Sequence, residues 1–115
     1  MPDKPLEWVG TTREDLRRFP EAARREAGYQ LRRVQRGSDP TDWRPMTTVG
    51  AGVQEIRVHT GREHRVFYVA KFEEAVYVLH AFEKRTRQTR QVDIDLAKRR
   101  LAMVLASRRR MRRRT

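Results

Sequence analysis

Residues 55–89 read E-I-R-V-H-T-G-R-E-H-R-V-F-Y-V-A-K-F-E-E-A-V-Y-V-L-H-A-F-E-K-R-T-R-Q-T, and the period of this stretch decides the fold. Ile56 and Val58 alternate with Arg57 and His59, the pattern of a half-buried strand over residues 53–60. Gly61-Arg62-Glu63 makes a turn, and residues 64–72 form a second strand. That strand sets Val66, Tyr68 and Ala70 on one side and Arg65, Phe67 and Val69 on the other. Strands joined this briefly are antiparallel. Glu73-Glu74 turns the chain again into Ala75–Phe82, almost continuously apolar and therefore predicted to lie inside the sheet.

Outward from this meander, Leu6–Val9 reads as a short first strand ending at Gly10. Thr11-Thr12-Arg13-Glu14 carries a capping-box pattern, with a Thr hydroxyl accepting from a backbone N–H and Glu14 reaching back. It predicts a short helix stopping near Phe19. Pro20 suits the first turn of the next helix, in which Ala23, Ala27, Leu31 and Val34 form one stripe and Arg24, Arg25, Arg32, Arg33 and Arg36 the opposite face. Gly37 caps it, and a polar loop follows. Trp43 to the Gly50-Ala51-Gly52 turn leads into the meander, with Trp43 and Tyr68 read as packing residues. Ile94, Ala97, Leu101 and Val104 predict a last helix over about residues 91–107. The class is α+β in the order β-α-α-β-β-β-α: a small antiparallel sheet with an N-terminal helical pair and a C-terminal helix, the helices covering one face.

The chain has 115 residues, enough for one domain. Lys and Arg number 27 against 15 acidic residues, a formal charge of +12, and the pI is about 11.4. A polyanionic partner is the first expectation, and RNA fits better than a membrane. Six of the charges sit in Arg108–Arg110 and Arg112–Arg114, leaving +6 for residues 1–107. Residues 108–115 therefore read as a frayed basic tail adding nonspecific RNA affinity, on a body that is itself basic. Met-Pro-Asp-Lys-Pro is not the start of a signal peptide, and no apolar run approaches membrane length, so a cytoplasmic protein without a membrane partner is expected. Cysteine is absent, which removes disulfides and thiolate chemistry. With His only at 59, 64 and 80, no metal site and no cofactor are expected.

RNA cleavage by 2′-hydroxyl attack needs a proton taken, a proton given and stabilised charge on the phosphate. Fixed guanidinium groups serve the last need. Arg65 is the leading candidate: it sits mid-strand and should lie beside Arg57. Its alternative is an exposed-face arginine in an ion pair with Glu55 or Glu63. Lys84 and Arg85 emerge where the third strand ends, near the same face. His80 is either a general acid or base or a hydrogen-bonded core histidine. Phe82 either stacks on a base or packs in the core. His59 and His64 flank the turn and are expected to be exposed. Glu55 is either a base or the partner that orients Arg57.

Six segments carry a resemblance: P-L-E-W-V-G at 5–10, A-R-R-E-A-G-Y-Q-L-R-R-V-Q at 23–35, W-R-P-M at 43–46, E-I-R-V at 55–58, R-V-F-Y-V-A-K-F at 65–72 and Y-V-L-H-A-F-E-K-R-T at 77–86. In this order they resemble the RelE/HigB-like toxins of toxin–antitoxin systems, in the branch known as phage-related proteins. The resemblance implies a RelE-like domain over residues 1–107. It implies a metal-independent, ribosome-dependent endoribonuclease that cuts mRNA in the ribosomal A site and is held inactive by a helix-turn-helix, HigA-like antitoxin. By position, the family's phosphate-clamping residues fall on Arg57, Arg65 and Arg85, with Lys84 beside it. The place of the family's late tyrosine falls on Gln91, which makes His80 the substitute proton donor. The branch pattern F-x-K-K-T-x-K-T stands here as F-E-K-R-T-R-Q-T, with Arg87 basic and Gln88 neutral. Glu55, Phe82, Arg87, Arg32 and Arg33 complete the expected RNA contacts. Arg65→Ala is expected to abolish cleavage and spare the fold. A noncatalytic RNA- or ribosome-binding module and an inactive phage-remnant toxin are the alternatives.

Overall fold

The computed structural model describes residues 3–113; Met1, Pro2, Arg114 and Thr115 lie outside the described residues. The elements are β1 (Leu6–Trp8), α1 (Thr12–Arg17), α2 (Glu21–Gln35), β2 (Trp43–Pro45), β3 (Val53–His59), β4 (Glu63–Val69), β5 (Val76–Glu83) and α3 (Gln91–Arg113). They build one five-stranded sheet in the order β1-β5-β4-β3-β2. The α+β class and element order are as the sequence predicts. Two details differ. β1 pairs parallel with β5, so the sheet is mixed, and Trp43–Pro45 is an added edge strand antiparallel to β3. Pro45 hid it, because a proline is tolerated in a sheet only at such an edge.

Helices cover both faces, not one. Leu16, Phe19, Ala23, Ala27, Leu31 and Val34 of the N-terminal helical region pack on Ile56, Val58, Val66, Val76 and Val78. On the opposite face Ala97, Leu101 and Val104 of α3 pack on Val53, Phe67, Val69 and Leu79. The alternation of β4 requires this. Leaving Phe67, Val69 and Leu79 to water would forgo about 1.5–3 kcal/mol for each side chain. The same face changes character along β3 and β4. The cross-strand pairs run Val53 with Val69, Glu55 with Phe67, then Arg57 with Arg65. α3 covers the apolar end and leaves the charged end open.

α3 continues to Arg113, beyond the expected end near Ser107. The Arg108 guanidinium donates to Glu74 at 2.7 and 3.3 Å and stacks 3.8 Å above the Phe72 ring, so the β4–β5 loop anchors the last turns. Arg108 in turn holds the Glu74 carboxyl down at about 2. Residues 108–113 are thus an ordered basic helix rather than a frayed tail. Among the described residues no helix is long and apolar enough to cross a membrane.

The Thr11 cap also differs from expectation. Its backbone (φ −92°, ψ 12°) keeps the hydroxyl from the helix N–H groups, and no side-chain cap bond forms. The hydroxyl instead donates to Asp15 (2.8 Å) and accepts from Arg100 Nη2 (3.0 Å). Arg100 is buried and its Nη1 donates to Leu79 O (3.0 Å), just past the point where β1 stops pairing with β5. Gly10, at φ +62°, leaves the room: a Cβ there would lie 2.7 Å from Arg100 Nε. Arg100→Ala strands a buried carbonyl and should destabilise by about 1–3 kcal/mol in denaturant titration. Unchanged stability would show that this bracket is dispensable.

Candidate active site

The open end of the α3-side face is a concavity of about 210 Å³ lined by Arg44, Glu55, Arg57, Arg65, Lys84, Arg87, Gln88 and Thr89. Three strands and one loop place these groups. Glu55 and Arg57 sit two residues apart on β3, Arg65 is the cross-strand neighbour of Arg57, and β2 sets Arg44 opposite Glu55. The 84–89 loop closes one wall. Lys84 N–H donates to Glu63 O and Lys84 Nζ to Arg87 O, each at 2.8 Å, folding the loop over the strand ends.

Five cationic side chains thus surround one carboxylate. Glu55 is 2 % exposed, and its ion-pair contacts, from Arg65 Nε at 3.8 Å and Arg44 Nε at 4.0 Å, are longer than hydrogen bonds. Burial raises the Glu55 carboxyl above the ordinary glutamate range, against the opposing pull of Arg65, Arg44, Arg57 and Lys84. Arg65 is also 2 % exposed, and its Nη1 donates to His64 O and lies at 3.0 Å from Glu63 Oε1. Arg65 thus meets both Glu55 and Glu63, but as a buried residue rather than on an exposed face, and it lies beside Arg57 as expected.

The buried Nε atoms of Arg57 and Arg65 have no hydrogen-bond partner among the described residues. A buried unpaired donor costs about 1–3 kcal/mol, and two guanidinium donors left so in one cationic hollow suit an oxyanion with several acceptor oxygens. Beside them stands a carboxylate whose proton affinity burial has raised. The combination can bind a phosphate and take a proton from a neighbouring hydroxyl.

The family described as phage derived protein Gp49-like (DUF891) matches residues 14–102, from α1 into α3. The chain belongs to this Gp49-like family. The matched span holds every residue lining the concavity, and it bears out the phage-related expectation at family level. No curated protein matches the chain.

Other expected residues of this Gp49-like chain lie elsewhere. Arg85 does not line the concavity: past the end of β5 it points outward, 78 % exposed and bound to Glu83 at 3.0 and 3.2 Å. Lys84 and Arg87 take the inward places. Phe82 packs edge-on to Phe67 (5.2 Å between centroids) and stacks on His80 (4.6 Å), within the core under α3. His80 is buried too, and its Nε2 hydrogen-bonds Asp93 Oδ1 at 2.7 Å. Burial holds the ring below its ordinary proton affinity. It joins β5 to the start of α3 and does not line the concavity. His80→Gln should cost about 1–3 kcal/mol of stability in denaturant titration; unchanged stability would show that the bond to Asp93 is dispensable. Arg32 and Arg33 belong to α2, on the other side of the sheet, where Arg32 lies 3.8 Å from Asp3 and Arg33 Nε donates to Asp39 O at 3.0 Å. His64, expected exposed, is buried with its ring 4.4 Å from that of Phe19. Arg44, Gln88 and Thr89 had not been expected; the one available signal for Arg44 was its place beside Trp43 in a segment too short to declare itself a strand.

Proposed function

We propose that this Gp49-like chain is a RelE/HigB-like toxin that cuts mRNA in the ribosomal A site. A cognate helix-turn-helix, HigA-like antitoxin would restrain it. The observation that carries the reading is the buried Glu55 carboxylate set among guanidinium groups whose Nε donors make no hydrogen bond among the described residues. Family membership sets the context.

In the proposed reaction Glu55 takes the 2′-hydroxyl proton, and the freed oxygen attacks the adjacent phosphorus. The bond from phosphorus to the 5′ oxygen breaks, giving a 2′,3′-cyclic phosphate and a new 5′-hydroxyl end. Arg57 and Arg65 hold the charge that grows on the phosphate oxygens. Arginine does not release its proton in proteins, so among the charged lining groups only Glu55 and Lys84 can exchange one. Glu55 receives, which leaves Lys84 to give a proton to the departing 5′ oxygen. Arg44 and Arg87 contact the flanking backbone, and the basic face of α2 with the last turns of α3 contacts the ribosome.

A single 2′-deoxy substitution at the scissile nucleotide tests the mechanism. Binding should persist and cleavage at that position should stop, with the parent RNA leaving a cyclic phosphate. A cut at the deoxy position would rule out 2′-hydroxyl attack.

A further inference from the structure

The hydrogen bonds of Arg65 are made from one end only. Its Nη1 meets His64 O and Glu63 Oε1, each at 3.0 Å, while its buried Nε makes no hydrogen bond among the described residues and lies 3.8 Å from Glu55 Oε2. The first acceptor is backbone and fixed. The second belongs to a half-exposed side chain at the start of β4, and something must hold that carboxylate still. His59 does so: its Nδ1 lies 2.7 Å from Glu63 Oε2, and its Nε2 lies 2.5 Å from Asp42 Oδ2. Asp42 is itself tied down, since Arg57 N–H donates to Asp42 O at 2.9 Å. A continuous line thus runs Asp42, His59, Glu63, Arg65, along the β3–β4 pair and into the concavity.

We propose that Glu63, clamped by a doubly protonated His59, is a positioning residue that fixes the Arg65 guanidinium for its work in the concavity. The inference rests on the proposed reading of that concavity. An imidazole donates from both nitrogens only as the imidazolium, and both of its neighbours here are carboxylates. The groups facing His59 are Glu63 from β4 and Asp42 from the loop before β2. The hydrogen bonds to Glu63 and then Asp42 raise the proton affinity of the ring above its ordinary value. Facing Glu63 are His59 and Arg65; burial pulls its carboxyl upward, but those two partners outweigh it and hold it below the ordinary value. Arg65 is faced in addition by Glu55 on the neighbouring strand. Once the ring loses its second proton, it can donate to only one of the two carboxylates. The other then meets a lone pair, and the grip on Arg65 loosens. Salt weakens the clamp, because His59 and Glu63 are partly exposed. A misplacement of about 1 Å at a reacting group can slow a reaction by about 10²-fold, so a loosened guanidinium is expected to cost roughly tenfold in kcat.

The test uses the full chain and follows the guanidinium nitrogen signals of Arg65 by NMR, assigned through their loss in Arg65→Lys, from pH 5.5 to 9. Cleavage of a defined mRNA on ribosomes is followed in parallel over the same pH range. In the parent, distinct Nη signals should be present while His59 is charged and should merge as its ring titrates. Glu63→Ala should merge them at every pH and lower kcat about tenfold with KM and melting temperature little changed. Glu63→Gln keeps an oxygen for Arg65 and needs no imidazolium, so it should restore the signals and remove their pH dependence. Arg65 signals in Glu63→Ala that match the parent, or that ignore the His59 titration in the parent, would overturn the proposal. A parent that cuts no RNA would refute the proposed function, and the NMR comparison would still decide the positioning role.

Discussion

Glu55→Gln is expected to lower mRNA cleavage by about 10²–10⁴-fold, the contribution of a general base, and at the same time to make the protein more stable at neutral pH. The two effects share one cause. Burial raises the folded-state proton affinity of Glu55 above that of an ordinary glutamate, so the folded chain binds this proton more tightly than the unfolded chain does. Stability from this group is therefore full below the ordinary glutamate range and falls as pH rises through the raised folded value. The amide that replaces the carboxyl in this variant has no proton to lose over that range. The melting temperature of the variant should gain on that of the parent from about pH 4.5 upward, and the gap should be widest at neutral pH. A variant less stable than the parent at pH 7 would mean that the surrounding arginines outweigh burial, making Glu55 a structural ion-pair partner.

Arg65→Lys should reduce cleavage by about 10²–10³-fold, the loss seen when one preorganised donor is removed from an oxyanion site, while the protein stays folded. Lysine keeps the positive charge that Glu55 faces. It lacks the fork that meets His64 O and Glu63 with one nitrogen and leaves Nε for a ligand. Arg65→Ala is the less informative variant, contrary to the expectation from sequence. At 2 % exposure the residue is part of the interior as well as of the site. Removing one member of a buried pair costs about 3–5 kcal/mol, a large share of the roughly 5–15 kcal/mol that holds a domain together. Lost cleavage in Arg65→Ala would not separate chemistry from unfolding. Parent-level cleavage by Arg65→Lys would show that charge alone suffices and that the fork is idle.

The meander was legible because alternation over residues 53–82 leaves little freedom in register: a slip by one residue would turn Arg57 and Arg65 into the apolar face covered by the N-terminal helices. The sequence therefore placed Arg57 beside Arg65 and Glu55 near both. It did not show α3 on the second face: β4 and β5 carry apolar residues on both sides, which calls for cover on each face but does not say which helix supplies it. Phe67 and Leu79 were visible as apolar, but which helix met them depended on the path of the 84–90 loop. The same loop decided the fate of neighbouring Lys84 and Arg85, one turned inward and one outward. Arg44 entered the site through a three-residue edge strand too short for periodicity to reveal. Resemblance led to His80 as proton donor, but its hydrogen bond to Asp93 depends on the start of α3 passing over β5, a tertiary contact between residues 13 apart in sequence.

In the proposed reaction the buried carboxylate and its guanidinium neighbours cut mRNA on the ribosome. The most direct measurement is primer extension on a defined mRNA in a reconstituted translation system, comparing the parent, Glu55→Gln and Arg65→Lys with and without ribosomes. Discrete cuts by the parent that require ribosomes, and that fade in both variants although both remain folded, are expected. Parent-level cutting by folded Glu55→Gln, or no cut by the parent in any lane, would contradict the proposed reaction.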